Sequence, residues 1–176
     1  MRQSERLILD SPHKDDFKRF FEINSDPQTN LFNPAGPMDM EKAMENFDRF
    51  LKHWETHNFG SWVIRNKETR HIIGFGGLSY RLYGEELKLN LGYRFAEDAW
   101  GKGYATELSK YSIHHGFHEM GFDKIFALVR PDHAVSIKVL EKCMMKLTGT
   151  LDDVPGQKES LVYIIEKDTG YQMLDA

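Results

Sequence analysis

The chain has 176 residues, 40% of them hydrophobic and 28% charged, which fits one soluble globular domain able to bury a core without disulfides or metals. A formal net charge of −4 and the lack of a Lys/Arg cluster argue against gripping nucleic acid through its phosphates, and a single cysteine, Cys143, excludes an intrachain disulfide and fits a reducing compartment. The opening carries only the short apolar run Leu7 to Leu9, less than a signal peptide or a membrane span of about 20 residues requires, so the expected location is the cytoplasm.

Glu5 to Leu9 reads as a short opening strand. Ser11-Pro12 has the form of an N-cap followed by proline at the first helical position. Asp15 and Asp16 suit the positive end of a helix dipole, and Phe17, Phe20, Phe21 and Asn24 follow at helical spacing until Asp26-Pro27. Asn30 to Pro37 reads as a loop. Asp39 to His57 predicts a longer helix with Met40, Ala43, Met44, Phe47, Leu51 and Trp54 on one core-facing stripe, ended by Asn58 and Gly60. Ser61 to Arg65 and Ile72 to Tyr80 flank the polar turn 66–70 and predict a hairpin. Gly74 to Ser79 faintly resembles a dinucleotide fingerprint, but it lies inside a strand pattern with no helix after it and reads as bulged strand. Leu87, Leu89, Leu91, Tyr93 and Phe95 then alternate with Lys88, Asn90 and Arg94, giving the third strand of a meander.

A helix is expected from Ala105 to Met120, with Gly121 just past its end. Lys124 to Arg130 is a strand, and Ala134 to Met145 a helix with Val135, Val139, Leu140 and Cys143 inward. Strands at Leu147 to Leu151 and Ser160 to Glu166 are separated by a turn at 152–156. The sum is an α/β chain with a mixed sheet rather than a pure alternation of strand and helix.

The chemistry concentrates between Leu91 and Glu107, where a strand ends, a glycine-rich turn follows and a helix begins. The first turn of a helix presents unpaired N–H groups and a positive dipole end. Gly101 and Gly103 let the backbone approach a ligand in conformations closed to other residues. That is a cradle for a diphosphate, and it is not a P-loop, because Lys102 is followed by Gly103 rather than Ser or Thr.

The stretch Trp100-Gly101-Lys102-Gly103-Tyr104-Ala105-Thr106-Glu107 resembles motif A of the GCN5-related N-acetyltransferases, the GNAT superfamily. Trp100 in its first place is common in a branch resembling the ribosomal-protein N-terminal acetyltransferases of the RimJ/RimL kind. Ser4 to Leu9 resembles that branch's opening strand, Ile73 to Leu78 its third strand, Leu91 to Phe95 its fourth and Ser136 to Lys142 its late helix, so the resemblance runs through nearly the whole chain in order. It implies one domain over residues 1–176, with a mixed central sheet splayed into a V and flanked by about four helices. It implies acetyl-CoA as cosubstrate, no metal, and acetyl transfer to a primary amine by direct attack in a ternary complex. It also implies a monomer or homodimer, and the charge and the short apolar runs add no nucleic acid and no membrane as partner. Tyr93, Arg94 and Phe95 would pair with the pantetheine arm, and the N–H groups from Gly101 through Lys102, Gly103, Tyr104 and Ala105 to Thr106 would hold the pyrophosphate behind Trp100. His133 and Lys142 would belong to the coenzyme side.

Such a transfer needs a proton taken from the ammonium, an oxyanion stabilised and a proton given to the leaving thiolate. Ser136 occupies the position that some relatives use to protonate the sulfur; as a serine early in a helix it can equally satisfy backbone groups. Many relatives place a glutamate where this chain has Asn90, which cannot take a proton, so Glu85 or Glu86 is the substitute, although both also read as a solvated turn. The family's Asn before the late helix is His133 here, and a glycine near the end of that helix is Met144. His114 and His118 stand at a spacing that can hold zinc, yet no third ligand accompanies them and a solvated face is the better reading. Cys143 reads as a buried inert thiol, and Trp54, Phe59 and Trp62 as core or as wall of an acceptor pocket. Two acceptor classes stay open, a protein N-terminal amine and a small amine such as a polyamine or aminoglycoside. So does a non-catalytic acyl-CoA-binding module.

Overall fold

The computed structural model describes residues 2–167, so both ends of the expected 1–176 domain lie outside the described residues. The strands are β1 (Arg2–Gln3), β2 (Leu7–Asp10), β3 (Ser61–Asn66), β4 (Ile72–Tyr83), β5 (Glu86–Phe95), β6 (Lys124–Val129), β7 (Lys146–Leu151) and β8 (Ser160–Glu166). The α-helices are α1 (Phe17–Ser25), α2 (Met40–His57), α3 (Tyr104–His114) and α4 (Ala134–Lys142). The strands form one mixed sheet in the order β1-β2-β3-β4-β5-β6-β8-β7. The α/β class with a mixed sheet and four helices is therefore what the sequence forms. The described residues pack as two units, each drawn from two stretches of chain: residues 2–77 with Tyr93–Tyr104, and Leu78–Gly92 with residues 105–167. β4 and β5 each run through both.

In the first unit, β2 pairs antiparallel with β3, and β3 with β4. Ile64 faces Gly74 while Arg65 faces Ile72, so Ile73 is the extra residue of a bulge, and its carbonyl accepts the N–H of Ala96 at 2.9 Å. The bulge thus falls just before the glycines rather than among them. A phenylalanine cluster fills the core: the Phe20 ring centroid lies 5.1 Å from that of Phe47 and 5.2 Å from that of Phe75. Edge-on and tilted ring pairs of this kind add about 0.5–1.5 kcal/mol each beyond area burial.

Three expectations change in this unit. Ser11 does not cap a helix; His13 does, ahead of a single 3-10 turn at Lys14–Asp16, with its N–H donating to the Asp16 carboxylate at 2.8 Å. The reason is Arg65, whose guanidinium holds the other Asp16 oxygen at 2.7 Å and so fixes where the helix enters. On α2 only Ala43 and Phe47 are fully buried, while Met40 and Met44 are about half exposed, so the buried stripe is narrower than the apolar pattern. The opening strand is shorter than expected, and a two-residue strand, β1, precedes it.

In the second unit, β6 pairs with β8 along its whole length, from Lys124 opposite Glu166 to Val129 opposite Leu161, and β8 pairs with β7. β5 and β6 run parallel, and among the described residues their register point is Asn90 with Phe126. α3 starts one residue earlier than expected and gives way to a π-helical turn at His115–Glu119. Gly116 lies in that turn, where a Cβ would meet Leu78 at 2.8 Å and Ile125 at 2.9 Å; its hydrogen side chain lets the helix end sit directly on the strands. Val135, expected inward, is 72% exposed, whereas Val139, Leu140 and Cys143 are buried as expected.

α4 stops at Lys142, short of the expected Met145, and Met144 takes the left-handed conformation at φ +63°. Its N–H donates to the Glu141 carbonyl at 2.9 Å and that of Met145 to the Leu140 carbonyl at 3.1 Å, the closing pattern that glycine usually supplies. A left-handed non-glycine residue costs about 1–2 kcal/mol, and glycine returns part of this through its unfolded-state freedom. Since Met144 is half exposed, Met144→Gly is expected to stabilise the protein by about 0.5–1 kcal/mol, a rise of about 1–4 °C in thermal midpoint. Thermal unfolding of the two proteins checks this; a lower midpoint for the glycine variant would mean that the methionine side chain contributes more than its backbone loses.

Candidate functional site

In the first unit the end of β5 feeds the glycine turn. Phe95 is buried, and the Trp100 indole N–H reaches back to its carbonyl at 3.1 Å across a 3-10 turn at Glu97–Ala99. Gly101 and Gly103 follow at φ +71° and +80°, and Tyr104 begins α3. A Cβ on Gly101 would meet no atom within 4 Å, so what selects glycine there is backbone conformation and an open approach to the chain. Nothing crowds it. These are the two properties a phosphate cradle at a helix start requires.

Two residues outside the motif brace the turn. Arg6 donates to the Lys102 carbonyl at 2.9 Å and lays its guanidinium 4.8 Å from the Tyr104 ring centroid. Asn66 donates its amide to the Tyr104 hydroxyl at 2.9 Å. Sequence reading passes over both, because neither lies near residue 100 along the chain. Beside the turn, an open cavity of about 580 Å³ is lined in part by Arg65, Arg70, His71, Lys102 and Tyr104. Arg65 is engaged by Asp10 and Asp16; Arg70 and Lys102 leave the wall cationic.

The Tyr93 and Phe95 rings lie 6.0 Å apart between centroids, tilted by 51°. Arg94 is engaged elsewhere: its guanidinium donates to the side-chain carbonyl of Asn30, and burial pulls its pKa below the ordinary arginine range. Only the Arg94 backbone is therefore suited to the pairing role the resemblance implies. Trp54, Phe59 and Trp62 close the corner between α2 and β3. The Trp54 indole donates to the Ser61 carbonyl at 2.6 Å, Phe59 packs on His53, and Trp62 is buried.

In the second unit α3 carries Ala105 and Thr106 in its first turn, and the Thr106 carbonyl accepts the Cys143 thiol at 3.9 Å. Ser136 and His133 come together at the start of α4, with 3.3 Å between the serine Oγ and the imidazole Nε2, half-buried. Lys142 lies in the last turn of the same helix, exposed. Asn90 is buried on β5, and the Tyr83 hydroxyl donates to its Oδ1 at 2.7 Å. Burial raises the Tyr83 pKa well above the ordinary phenol range, so that proton stays in place. Glu86 is exposed and paired with Lys88 at 2.9 Å. At about 3.4 Å per residue it lies about 14 Å along the strand from Asn90, so those two candidates are not brought together. The Lys88 ammonium stands 4.8 Å from the Phe126 ring centroid.

Among the described residues no group of three or more His, Cys, Asp and Glu side chains is arranged to hold a metal ion. The His114 and His118 rings lie 4.5 Å apart between centroids, tilted by 37°.

The sequence matches the Acetyltransferase (GNAT) domain family over residues 6–146. It is 27% identical over 160 residues to p20, an uncharacterized N-acetyltransferase of Bacillus licheniformis, covering 90% of this chain and 89% of that one. Its fold is similar to that of Mycobacterium smegmatis RimJ in complex with CoA-disulfide, with a TM-score of 0.76 at 21% identity, over 94% of this chain and 84% of that one. It is also similar to spermidine N-acetyltransferase from Vibrio cholerae in complex with CoA and spermine, with a TM-score of 0.74 at 17% identity, over 93% and 95%.

Cys143 provides a direct check on this packing. Burial pushes its thiol up to about 11 from an ordinary 9.0, so at pH 8 the folded protein holds about 100-fold less thiolate than the unfolded chain. Alkylation of the native protein at pH 8 is expected to be slower than that of the denatured protein by at least that factor, followed by mass spectrometry. Comparable rates would show an accessible, ionisable thiol instead.

Proposed function

The chain belongs to the GNAT acetyltransferase family, and from that premise we propose that it moves the acetyl group of acetyl-CoA onto a primary amine, by direct attack within a ternary complex. It is an N-acetyltransferase; the acceptor and the roles of individual residues are the proposal. The observation that carries it is the turn Trp100–Thr106, with its two glycines at positive φ, the open approach at Gly101 and the start of α3. The unpaired N–H groups there fit the charge and size of a diphosphate, and Lys102 and Arg70 supply further positive charge on the cavity wall.

In this reading the backbone from Tyr93 to Phe95 holds the pantetheine arm and the turn holds the pyrophosphate. Binding both substrates together supplies much of the acceleration. The amine attacks the thioester carbonyl, and Ser136 hands a proton to the departing sulfur. Asn90, its oxygen already taken by Tyr83, orients groups rather than moving protons. Removal of the ammonium proton then falls to Glu86 or to solvent. A Glu86→Gln variant decides between them: a loss of about 10-fold or more in kcat/KM assigns the step to the carboxylate, and an unchanged value assigns it to water.

For the acceptor we favour a protein N-terminal amine, on the resemblance of the motif to the RimJ/RimL branch and the fold similarity to RimJ. The fold similarity to a spermidine N-acetyltransferase supports polyamines as the second class. Thermal unfolding with acetyl-CoA at about 100 times its dissociation constant is expected to gain roughly 2.7 kcal/mol, or about 5–10 °C for a domain of this size, with NADH and ATP as controls. Thiol release would then be followed with N-terminal peptides and with polyamines. Release with peptides alone supports the first acceptor and release with polyamines alone the second. Absence of any coenzyme shift would overturn the cradle.

A further inference from the structure

We propose that His133 is a proton-relay residue, a positioning partner that makes Ser136 acid enough to protonate the leaving thiolate. The inference deepens the function proposed above and rests on it. A serine hydroxyl alone is a far weaker acid than a thiol, so it cannot by itself drive proton transfer to a thiolate. It needs a group that returns a proton to its oxygen as its own departs. In this chain such a group is in place: the imidazole Nε2 of His133 lies 3.3 Å from the Ser136 Oγ.

The local backbone explains why the ring is there. His133 stands at the N-terminal boundary of α4 with φ −89° and ψ 66°, and its side chain does not cap the helix. Residues three apart share one helix face, so a ring not bent over the helix end falls beside Ser136. The backbone is held independently, with the His133 N–H donating to the Arg130 carbonyl at 3.0 Å and the Ile137 N–H to the His133 carbonyl at 3.1 Å. The neighbouring charge, Asp132, is engaged by Lys158 at 3.0 Å. Imidazole is also the side chain whose ordinary protonation equilibrium lies nearest neutral pH, which lets it give up a proton and regain one within a turnover.

The step balances. The C–S bond of the tetrahedral adduct breaks and its electron pair goes to sulfur. The Ser136 O–H bond breaks as S–H forms, and the His133 Nε2–H bond breaks as a new O–H forms on the serine. The imidazolium becomes neutral imidazole and recovers its proton from solvent, which has received the proton lost by the amine. The asparagine that relatives carry at this position could hold the serine in place but could not complete the relay.

The test compares wild type, His133→Ala, His133→Asn, Ser136→Ala and the His133→Ala/Ser136→Ala double variant. All are assayed by amine-dependent thiol release, and each is first checked for an undiminished thermal shift with acetyl-CoA. The relay predicts that both His133 variants lose about 10–100-fold in kcat with KM for acetyl-CoA within about twofold of wild type. It predicts that the double variant is no worse than Ser136→Ala, since the two groups act as one, and that added imidazole partly restores His133→Ala but not Ser136→Ala. Wild-type kcat in either His133 variant overturns the relay. So does a loss confined to KM, which would make His133 a coenzyme contact, and so does a double variant with additive losses. A wild-type protein that gives no thermal shift and no thiol release with any amine overturns the acetyltransfer reading and this proposal together. A shift and turnover in wild type with unaffected His133 variants overturns this proposal alone.

Discussion

A few degrees of freedom in the backbone at Gly101 and Gly103 govern the reading of this protein. Between the end of β5 at Phe95 and the start of α3 at Tyr104 the chain must turn twice through positive φ, a region that side chains make expensive. Glycine reaches it without strain, and the space beside Gly101 stays open. The surrounding contacts serve that turn. Trp100 ties it back to the Phe95 carbonyl, Arg6 holds the Lys102 carbonyl, and Asn66 fixes the Tyr104 hydroxyl. Without such bracing, two glycines so close together would leave a floppy loop and a large ordering cost on binding.

Much of the architecture was legible before any coordinates, for physical reasons that can be named. The range of β8, Ser160–Glu166, is the one the sequence predicts, because an apolar run bounded by turn residues has few other ways to fold. The end of α2 was legible because Asn58 tolerates the left-handed conformation it adopts at φ 57°. The misreadings arise where a contact outside the local pattern, or an element too short to show a pattern, decides the matter. Arg65 drew Asp16 into an ion pair and so moved the helix start from Ser11 to His13. The alternation of β5 suggested a polar face at Asn90, yet Tyr83 supplies a hydrogen bond that lets this residue be buried. Val135 is apolar but sits on the exposed side of α4, where no periodicity within so short a helix could reveal it.

The site divides in the same way. The cradle left a trace in the sequence because it depends on backbone conformation, and only glycine satisfies that requirement cheaply. Arg6, Asn66 and Asn30 left none, since each acts through contacts with a segment far along the chain. His133 is intermediate: its departure from the family's asparagine was visible, but what replaced the lost contact became apparent only from the 3.3 Å separation to Ser136.

The interleaving of the two packing units bears on how the chain is made. Residues 2–77 leave the ribosome lacking Tyr93–Tyr104, the stretch that their unit also needs, and the intervening Leu78–Gly92 belongs to the other unit. That other unit in turn waits for the segments that follow residue 104. Neither can finish as an independent package during synthesis, since a vectorial process rewards contiguous modules and these are not contiguous. The nascent chain must therefore carry exposed apolar strand, including Leu78, Leu89 and Leu91, until its later partners emerge.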